Sequence, residues 1–220
     1  MKLSEVKNEL LVGLTPFAAT NGFKISKGHF LMNKKTLMGS ASISFEHMSG
    51  LENIQIQPYV EIKIDAIHDI CKKHGFNLNY TAFINLFVLE SVLNNTYTSD
   101  TQWKLQINQK ERFSVRSIQD ISTIIKQLIP MLDNAINYIN TNSSVESIDK
   151  MYNTNPLYEY NPNCSGMDTH CIIGLIASKL NNSNYSHIRE LYSNTVNSRD
   201  FLDSTKRSFF SIRDFLDEMD

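Results

Sequence analysis

The alternation of apolar and polar side chains between Asn53 and Ile64 constrains the fold more than any other feature of the sequence. Apolar residues occupy every second position of this segment, and polar residues or tyrosine stand between them. This period of two is that of a β-strand that packs one face on a core and leaves the other in water, as strands of antiparallel sheets do. Pro58 falls on the apolar side and donates no hydrogen bond, which predicts either an edge strand or a bulge.

Other segments of the first half supply neighbours for this strand. Residues Ser40–His47 and Trp103–Ile107 alternate in the same way. We predict a further strand over Phe23–Met32, joined to the next by a turn over residues 33–36. The segment Thr81–Leu93 is apolar on both parities, so its period does not separate a buried strand from a buried helix, although its Phe, Ile and Val residues favour a strand.

Helical spacing dominates the rest of the chain. A helix is predicted from Leu3 to Ala18, before the sheet, and a short one over Asp65–His74, ended by Gly75. After Ser117 the apolar residues keep a helical period to the end of the chain. The helices predicted there cover Ile118–Ile139 with a kink or break before Pro130, a segment capped by Ser143 with Glu146, a segment from Asp168 to Leu180, the segment Ile188–Val196 capped by Ser183, and Arg199–Met219.

These patterns predict an α+β fold. An antiparallel sheet of four to five strands in the N-terminal half is expected to pack against an all-helical C-terminal half. No proline- or glycine-rich linker separates the halves. We therefore expect a single domain over residues 1–220, sheet-rich over 1–116 and helical over 117–220.

The charge balance and hydropathy exclude two classes of protein. The chain has 21 Lys and Arg against 23 Asp and Glu, a net charge of −2, and shows no basic stripe. General nucleic-acid binders need such a stripe because phosphate neutralisation supplies most of their non-specific affinity. No apolar run approaches the roughly 20 residues that cross a bilayer. We expect no nucleic-acid partner and no membrane association.

The cysteine count and the N-terminal segment indicate a compartment. Three cysteines are an odd number in a chain large enough to fold without disulfides, which favours free thiols in a reducing environment. Leu10–Ala19 is as long as the core of a signal peptide, but Glu5 and Glu9 precede it where positive charges belong. We therefore expect a cytoplasmic protein.

The sequence holds none of the common catalytic or cofactor motifs, such as a phosphate-binding loop, a dinucleotide-binding glycine motif or H-E-x-x-H. We expect no cofactor and favour a protein that is not an enzyme. Two groups contain metal-ligating residue types, but the first spreads around its helix and the second lacks a fourth ligand, so no metal site is predicted. These groups are Asp65, His68, Cys71 and His74, and Cys164, His170 and Cys171.

Two arrangements keep catalysis open as an alternative. Cys164 precedes a predicted helix, whose dipole would lower the pKa of its thiol, and His170 could act as its base. A cleft between the sheet and the helices could instead bind a small molecule or act as a hydrolase. The polar residues that would line this cleft are Glu46 or His47, of which at most one would face it, Glu61 or Asp168.

The segment Asn155–Pro162 is the predicted binding site. Its two Asn-Pro steps disfavour a helix, and it has no strand or helix period. Tyrosines on an irregular loop combine apolar area with a hydroxyl that can remain hydrated, which suits a contact surface. The alternative is that this loop fills a gap between the sheet and the helices. The predicted binding residues are Tyr152, Leu157, Tyr158, Glu159 and Tyr160.

The last predicted helix contains an internal repeat. Arg-Asp-Phe-Leu-Asp at residues 199–203 recurs at residues 213–217 and gives the helix a broad apolar face. This face either packs on its own domain or forms a homodimer. The side chains that would form the dimer are Phe201, Phe209, Ile212 and Phe215.

The segment Gly22–Phe30, with the sequence GFKISKGHF, follows the first predicted helix and precedes the strands. This layout, over about the first 140 residues, resembles a bacterial family of unknown function that is similar to toxin-neutralising immunity proteins. The resemblance implies a protein-binding role without catalysis and carries over no catalytic residue. The expected function is therefore to neutralise or sequester a partner protein, such as a toxin. The alternatives are the small-molecule-binding or hydrolase-like cleft and a structural subunit that dimerises through its C-terminal helix.

Overall fold

The computed structural model describes residues 2–50, 52–98, 100, 104–105, 108 and 110–219. The strands are β1 (Lys24–Ser26), β2 (Leu31–Thr36), β3 (Gly39–Ser49), β4 (Ile54–Ile64), β5 (Ala82–Asn85) and β6 (Phe113–Val115). The helices are α1 (Leu3–Gly13), α2 (Thr15–Thr20), α3 (Asp65–Lys73), α4 (Leu86–Leu93), α5 (Asp120–Asn142), α6 (Val145–Asn153), α7 (Met167–Leu180), α8 (Tyr185–Ser198) and α9 (Asp203–Asp217).

The strands form one antiparallel sheet in the order β1-β2-β3-β4-β5, and β6 also pairs with β4. Lys24 in β1 lies opposite Asn33 in β2, and Ile54 in β4 lies opposite Val115 in β6. Burial along β4 alternates at every residue, as the period of two in the sequence requires. The predicted antiparallel sheet in the N-terminal half, followed by a helical C-terminal half, is confirmed.

The chain divides into two compact units. The first comprises Met1–Thr36, Ala41–Glu61 and Ile84–Asn140, and the second comprises Leu37–Ser40, Ile62–Phe83 and Thr141–Asp220. Nearly all of α5 belongs to the first unit. That the chain is a single domain stays a prediction.

The first unit has a core of side chains from its helices and from one face of its strands. The ring of Phe30 is buried, with its centroid 5.3 Å from that of Phe45 in β3, and the Lys7 ammonium lies 5.2 Å from the Phe30 ring centre. Buried apolar residues of this unit include Val6, Leu10, Met32, Ile43, Ile56, Val60, Leu128 and Leu132.

The second unit is organised around α7, which packs against α3, α6, α8 and α9. Every residue from His170 to Ser178 is buried, so this helix has no solvent-facing side over two turns. A helix that is apolar all round is stable only inside a core. The most apolar of the described helices in this unit is therefore its centre.

The first hairpin differs from the prediction. Residues 33–36, expected to form the turn, belong to β2, and the turns lie at residues 27–30 and 37–38. The prediction is wrong because Asn33–Thr36 are polar residues on a strand with one wet side, and their polarity resembles that of a turn. Phe30 adopts a positive φ of 52° at the end of the first turn, and burial of its ring compensates for that conformation.

Pro58 does not mark an edge strand. β4 lies between β3 and β5, and its residues Ile54–Ile56 also pair with β6. Pro58 lies two residues after the part that pairs with β6, so its missing N–H breaks none of the bonds to that strand. The predicted position of Pro58 on an edge strand is therefore wrong.

The ambiguous segment Thr81–Leu93 contains both structures. Residues 82–85 form β5 and residues 86–93 form α4, with the Asn85 side chain accepting a hydrogen bond of 2.9 Å from the Phe87 N–H. An asparagine in this position starts a helix, and this cap separates the two elements. The strand predicted over Trp103–Ile107 lies outside the described residues, except for Lys104 and Leu105, which are helical.

Several predicted helix starts shift by one to four residues. The N-caps of α6, α7 and α8 are Ser144, Gly166 and Asn184, in place of the predicted Ser143, Asp168 and Ser183. In α6 the partner of the cap is Ser147, so Glu146 is free to pair with Lys150. The long helix α5 continues through Pro130 and is not split there, and α9 begins at Asp203. Among the described residues, the structure has no helix with the length and apolar character needed to cross a membrane.

Candidate functional site

Tyr152 connects the predicted binding segment to the core of the second unit. It lies in the last turn of α6 and has no exposed surface. Its hydroxyl donates to the Thr81 carbonyl oxygen at 2.7 Å, and its own carbonyl oxygen lies 2.8 Å from Nε2 of His170. The imidazole of His170 stands edge to face with the rings of Tyr152 and of Tyr192 from α8, with centroids 5.0 and 5.9 Å apart. Tyr152 therefore holds the core together and cannot contact a partner.

The loop that follows, residues 155–162, is held at both ends. The Tyr158 N–H donates to the Asn155 carbonyl oxygen at 3.0 Å, which closes a turn over the first Asn-Pro step. Asn161 is buried, donates to the Met151 carbonyl oxygen at 3.3 Å and accepts from the Asn163 N–H at 3.0 Å. These bonds satisfy backbone groups of the loop and fix its course.

The middle of this loop presents its side chains to solvent. Leu157 is 46% exposed and Tyr160 is 53% exposed. Tyr158 is half-buried, and its ring stands edge-on to that of Tyr160 with centroids 6.5 Å apart. Glu159 forms an ion pair of 2.6 Å with Arg199. Four of the five predicted binding residues are thus brought together on one loop.

Arg199 brings a second irregular segment to the same place. Residues 199–202 connect α8 to α9, and Leu202, just before α9, is 75% exposed. Phe201 is half-buried. We call Leu157, Tyr158, Glu159, Tyr160, Arg199, Phe201 and Leu202 the loop surface. The sequence prediction missed its second segment, although Asn197, Ser198 and Asp200 are residue types that end helices and were the available signal.

The residues expected to form a dimer are divided between the surface and the core. Phe209 and Ile212 have no exposed area because they pack inside the second unit. Phe201 and Phe215 are half-buried, and the ring of Phe215 lies against His74 with centroids 4.9 Å apart. Two of the four side chains are therefore unavailable to a second copy in this fold.

The environment of Cys164 does not activate its thiol. Burial raises its pKa to about 11, and the thiol donates to the Gly166 carbonyl oxygen at 3.2 Å. A cysteine nucleophile needs the opposite shift, since the thiolate is the reactive form. Burial also raises the pKa of Cys71 and Cys171, to about 12 in each case. The expectation of a lowered pKa at Cys164 is therefore wrong, because burial of the thiol raises its pKa.

The other residues considered for chemistry have structural partners or stand apart. Both carboxylate oxygens of Glu61 accept from hydroxyls, those of Ser42 and Ser44. Asp168 accepts from the Thr169 N–H within the first turn of α7. Glu46 and His47 are exposed near the end of β3.

The two groups of metal-ligating residue types do not form centres. Within the described ranges, no group of three or more His, Cys, Asp or Glu is placed to hold a metal ion. Burial lowers the pKa of His68 to about 4 and also lowers that of His170. Both imidazoles are therefore neutral core residues at neutral pH.

Comparisons with protein-family models, with curated proteins and with solved structures found no match to this chain.

Proposed function

We propose that this chain is a binding protein without catalytic activity and that it engages another protein through the loop surface. The observation that carries this proposal is the exposure of Leu157, Tyr160 and Leu202 on two segments that the Glu159–Arg199 ion pair connects. Isolated exposed apolar residues are ordinary, but neighbouring ones with tyrosine and arginine are typical of interface centres.

The anchoring of the loop supports a binding role in a second way. Binding costs less free energy when the contact residues are already ordered, since little conformational entropy is then lost. The buried Asn161 holds one end of the loop, and the turn at Asn155 holds the other. The exposed side chains therefore sit on a backbone with a defined course.

The character of the surface indicates the kind of partner. Glu159 and Arg199 neutralise each other, so the apolar rings and the leucines dominate over charge. A complementary partner would present an apolar patch with hydrogen-bonding groups for the tyrosine hydroxyls. With the resemblance at Gly22–Phe30, this favours an immunity-like protein that sequesters a toxin.

The experiment is a comparative capture from the native host. The wild-type chain, the double variant Leu157→Ser/Tyr160→Ser and the control Leu37→Ser are used as baits. Leu37 is the matched control because it is 99% exposed and is not part of the loop surface. We expect a partner that the wild type and Leu37→Ser retain and that the double variant loses, with an unchanged melting temperature.

A partner retained equally by all three baits would refute the proposal that the loop surface is the binding surface. If the partner is captured as proposed, its toxicity on expression should fall when the wild type is coexpressed, and should fall less with the double variant. A partner whose activity does not change on binding would refute the neutralising role but not the surface.

A further inference from the structure

The first 36 residues, which belong to the first unit, carry a charge opposite to that of the rest of the chain. They contain six lysines and two glutamates, a net charge of +4, whereas residues 37–220 have a net charge of −6. Four of the lysines lie on β1, β2 and the turn between these strands, a segment without Asp or Glu. We call this segment, residues 24–36, the basic hairpin. Its lysines are Lys24, Lys27, Lys34 and Lys35.

The charge of the basic hairpin is not neutralised within the chain. None of the ion pairs among the described residues includes one of its lysines. Their contacts are with neutral groups. Lys27 Nζ donates to the Asn8 side-chain oxygen at 3.1 Å, and Lys34 Nζ lies 4.9 Å from the centre of the Phe23 ring. An amide and an aromatic ring orient an ammonium group but leave its charge uncompensated.

The first strand of the basic hairpin is an edge of the sheet. β1 is at the end of the strand order and pairs with β2, with Lys24 opposite Asn33 and Ser26 opposite Leu31. In the described part of the chain, no segment other than β2 forms a backbone hydrogen bond to residues 24–26. An edge strand presents unpaired N–H and C=O groups, to which an extended segment of another chain can add as a further strand.

Two lysines stand on one face of the sheet beside this edge. Lys24 is exposed on β1, and Lys35 is exposed two residues after Asn33, the partner of Lys24, and so on the same face. Lysines on an edge strand oppose its pairing with a second copy, because like charges then approach each other. The same charges attract a strand that carries carboxylates at alternate positions. The edge therefore rejects its own copy by the feature that selects an acidic strand.

We propose that the β1 edge binds an extended acidic segment of another protein, which adds to the sheet as a further strand. Backbone hydrogen bonds to β1 supply the pairing, and carboxylates on one face of the added strand contact Lys24 and Lys35. The proposal does not depend on the loop surface, which contains no residue of β1 or β2.

The test is fluorescence anisotropy of short labelled peptides titrated with the full chain. The first peptide alternates Thr and Glu, the second has Gln in place of Glu, and the third keeps Glu but has N-methyl groups on alternate backbone nitrogens, which prevent strand pairing. We expect the first peptide to bind, and the other two to bind more weakly by roughly tenfold or more. Higher salt should weaken binding of the first peptide.

Each peptide can contradict one part of the proposal. If the first peptide does not bind, the proposal is overturned. Equal binding of the Gln peptide would overturn the role of the lysines, and equal binding of the N-methylated peptide would overturn strand addition. Tighter binding of a short DNA duplex than of the first peptide would assign the lysines to nucleic acid instead.

Two variants locate the binding. Lys24→Glu/Lys35→Glu reverses both exposed charges and should weaken binding of the first peptide by roughly tenfold or more. Lys72→Glu is the matched control and should bind normally, because Lys72 is an exposed lysine of α3 outside the basic hairpin. Normal binding by the double variant would contradict the assigned edge. Sedimentation tests the other occupant, since a dimer of the wild type that the double variant alters would assign the edge to a second copy.

Discussion

The pentapeptide Arg-Asp-Phe-Leu-Asp occurs twice in the second unit, and the structure uses the two copies differently. Residues 199–203 cross the gap between α8 and α9, whereas residues 213–217 form the last turns of α9. Leu202 of the first copy is 75% exposed, and Leu216 of the second has no exposed area. Identical local sequence therefore does not decide burial, which depends on the elements that pack around each copy.

The charged residues of the two copies also have different partners. Arg199 reaches Glu159 on the loop, while Arg213 pairs with the adjacent Asp214 and lies 4.8 Å from the centre of the Phe210 ring. Asp217 accepts hydrogen bonds from Arg189 of α8. The second copy stabilises the unit, whereas the first contributes to the loop surface.

The largest expected difference is between the two leucines. Leu216→Ala removes a fully buried side chain and should lower the free energy of unfolding by about 2–5 kcal/mol. Leu202→Ala removes an exposed one and should change it by less than about 0.5 kcal/mol. Urea unfolding of both variants measures the difference. Equal losses would show that the two copies are equivalent in solution, against the structure.

The period of each segment made most of the fold predictable. Alternation over residues 53–64 predicted β4, and the predicted C-terminal residue, Ile64, is the last residue of the observed strand. Gly75, with a φ of 75°, follows the end of α3 as predicted. The errors fall where one residue type suits two roles. Asn33–Thr36 suit a turn and a wet strand, and Asn85 caps a helix inside a continuous apolar run.

The candidate site was only half predictable. Tyr152 and Tyr160 are both tyrosines near Asn-Pro steps, but one is buried and the other exposed. Ile148 stands four residues before Tyr152 on the same face of α6, and this spacing was the available signal for a core tyrosine. The contribution of Arg199 requires a contact with Glu159, 40 residues away in the sequence, which no local pattern predicts.

A smaller difference is expected between the aspartates that end the two copies. Asp217→Asn removes the charged partner of Arg189, and Asp203→Asn changes an exposed residue in the first turn of α9. We expect Asp217→Asn to lower the free energy of unfolding by about 0.5–1 kcal/mol and Asp203→Asn to lower it by about 0.3 kcal/mol. Both values are small because both sites are exposed to solvent. Thermal melting at pH 7 compares the two variants, and a larger loss for Asp203→Asn would reverse the assignment.

The pH dependence of stability sharpens the same comparison. The hydrogen bond from Arg189 lowers the pKa of Asp217, followed in importance among the favourable contacts by that from Tyr185. A lowered pKa in the folded state gives stability that is present above the unfolded value of about 3.9 and is lost as the pH falls through the folded value. Asp217→Asn should therefore lose less stability than the wild type between pH 5 and the acid range. An identical acid dependence would contradict the pairing.

A small effect on stability is also expected at Arg199. Its ion pair with Glu159 is exposed, so Arg199→Ala should cost about 0.5 kcal/mol or less. The same variant should weaken capture of the partner, because the pair connects the two segments of the loop surface. Unfolding and capture are measured on one preparation, and a cost above about 2 kcal/mol would show that the pair is structural instead.

Photo-crosslinking tests most directly whether the loop surface is the binding surface. A photoreactive phenylalanine analogue replaces Tyr160, Leu202 or, as the control, Leu37, and each protein is irradiated in a lysate of the native host. We expect the same partner to be crosslinked from positions 160 and 202, and not from position 37. Crosslinking from position 37 alone, or from none of the three, would contradict the account.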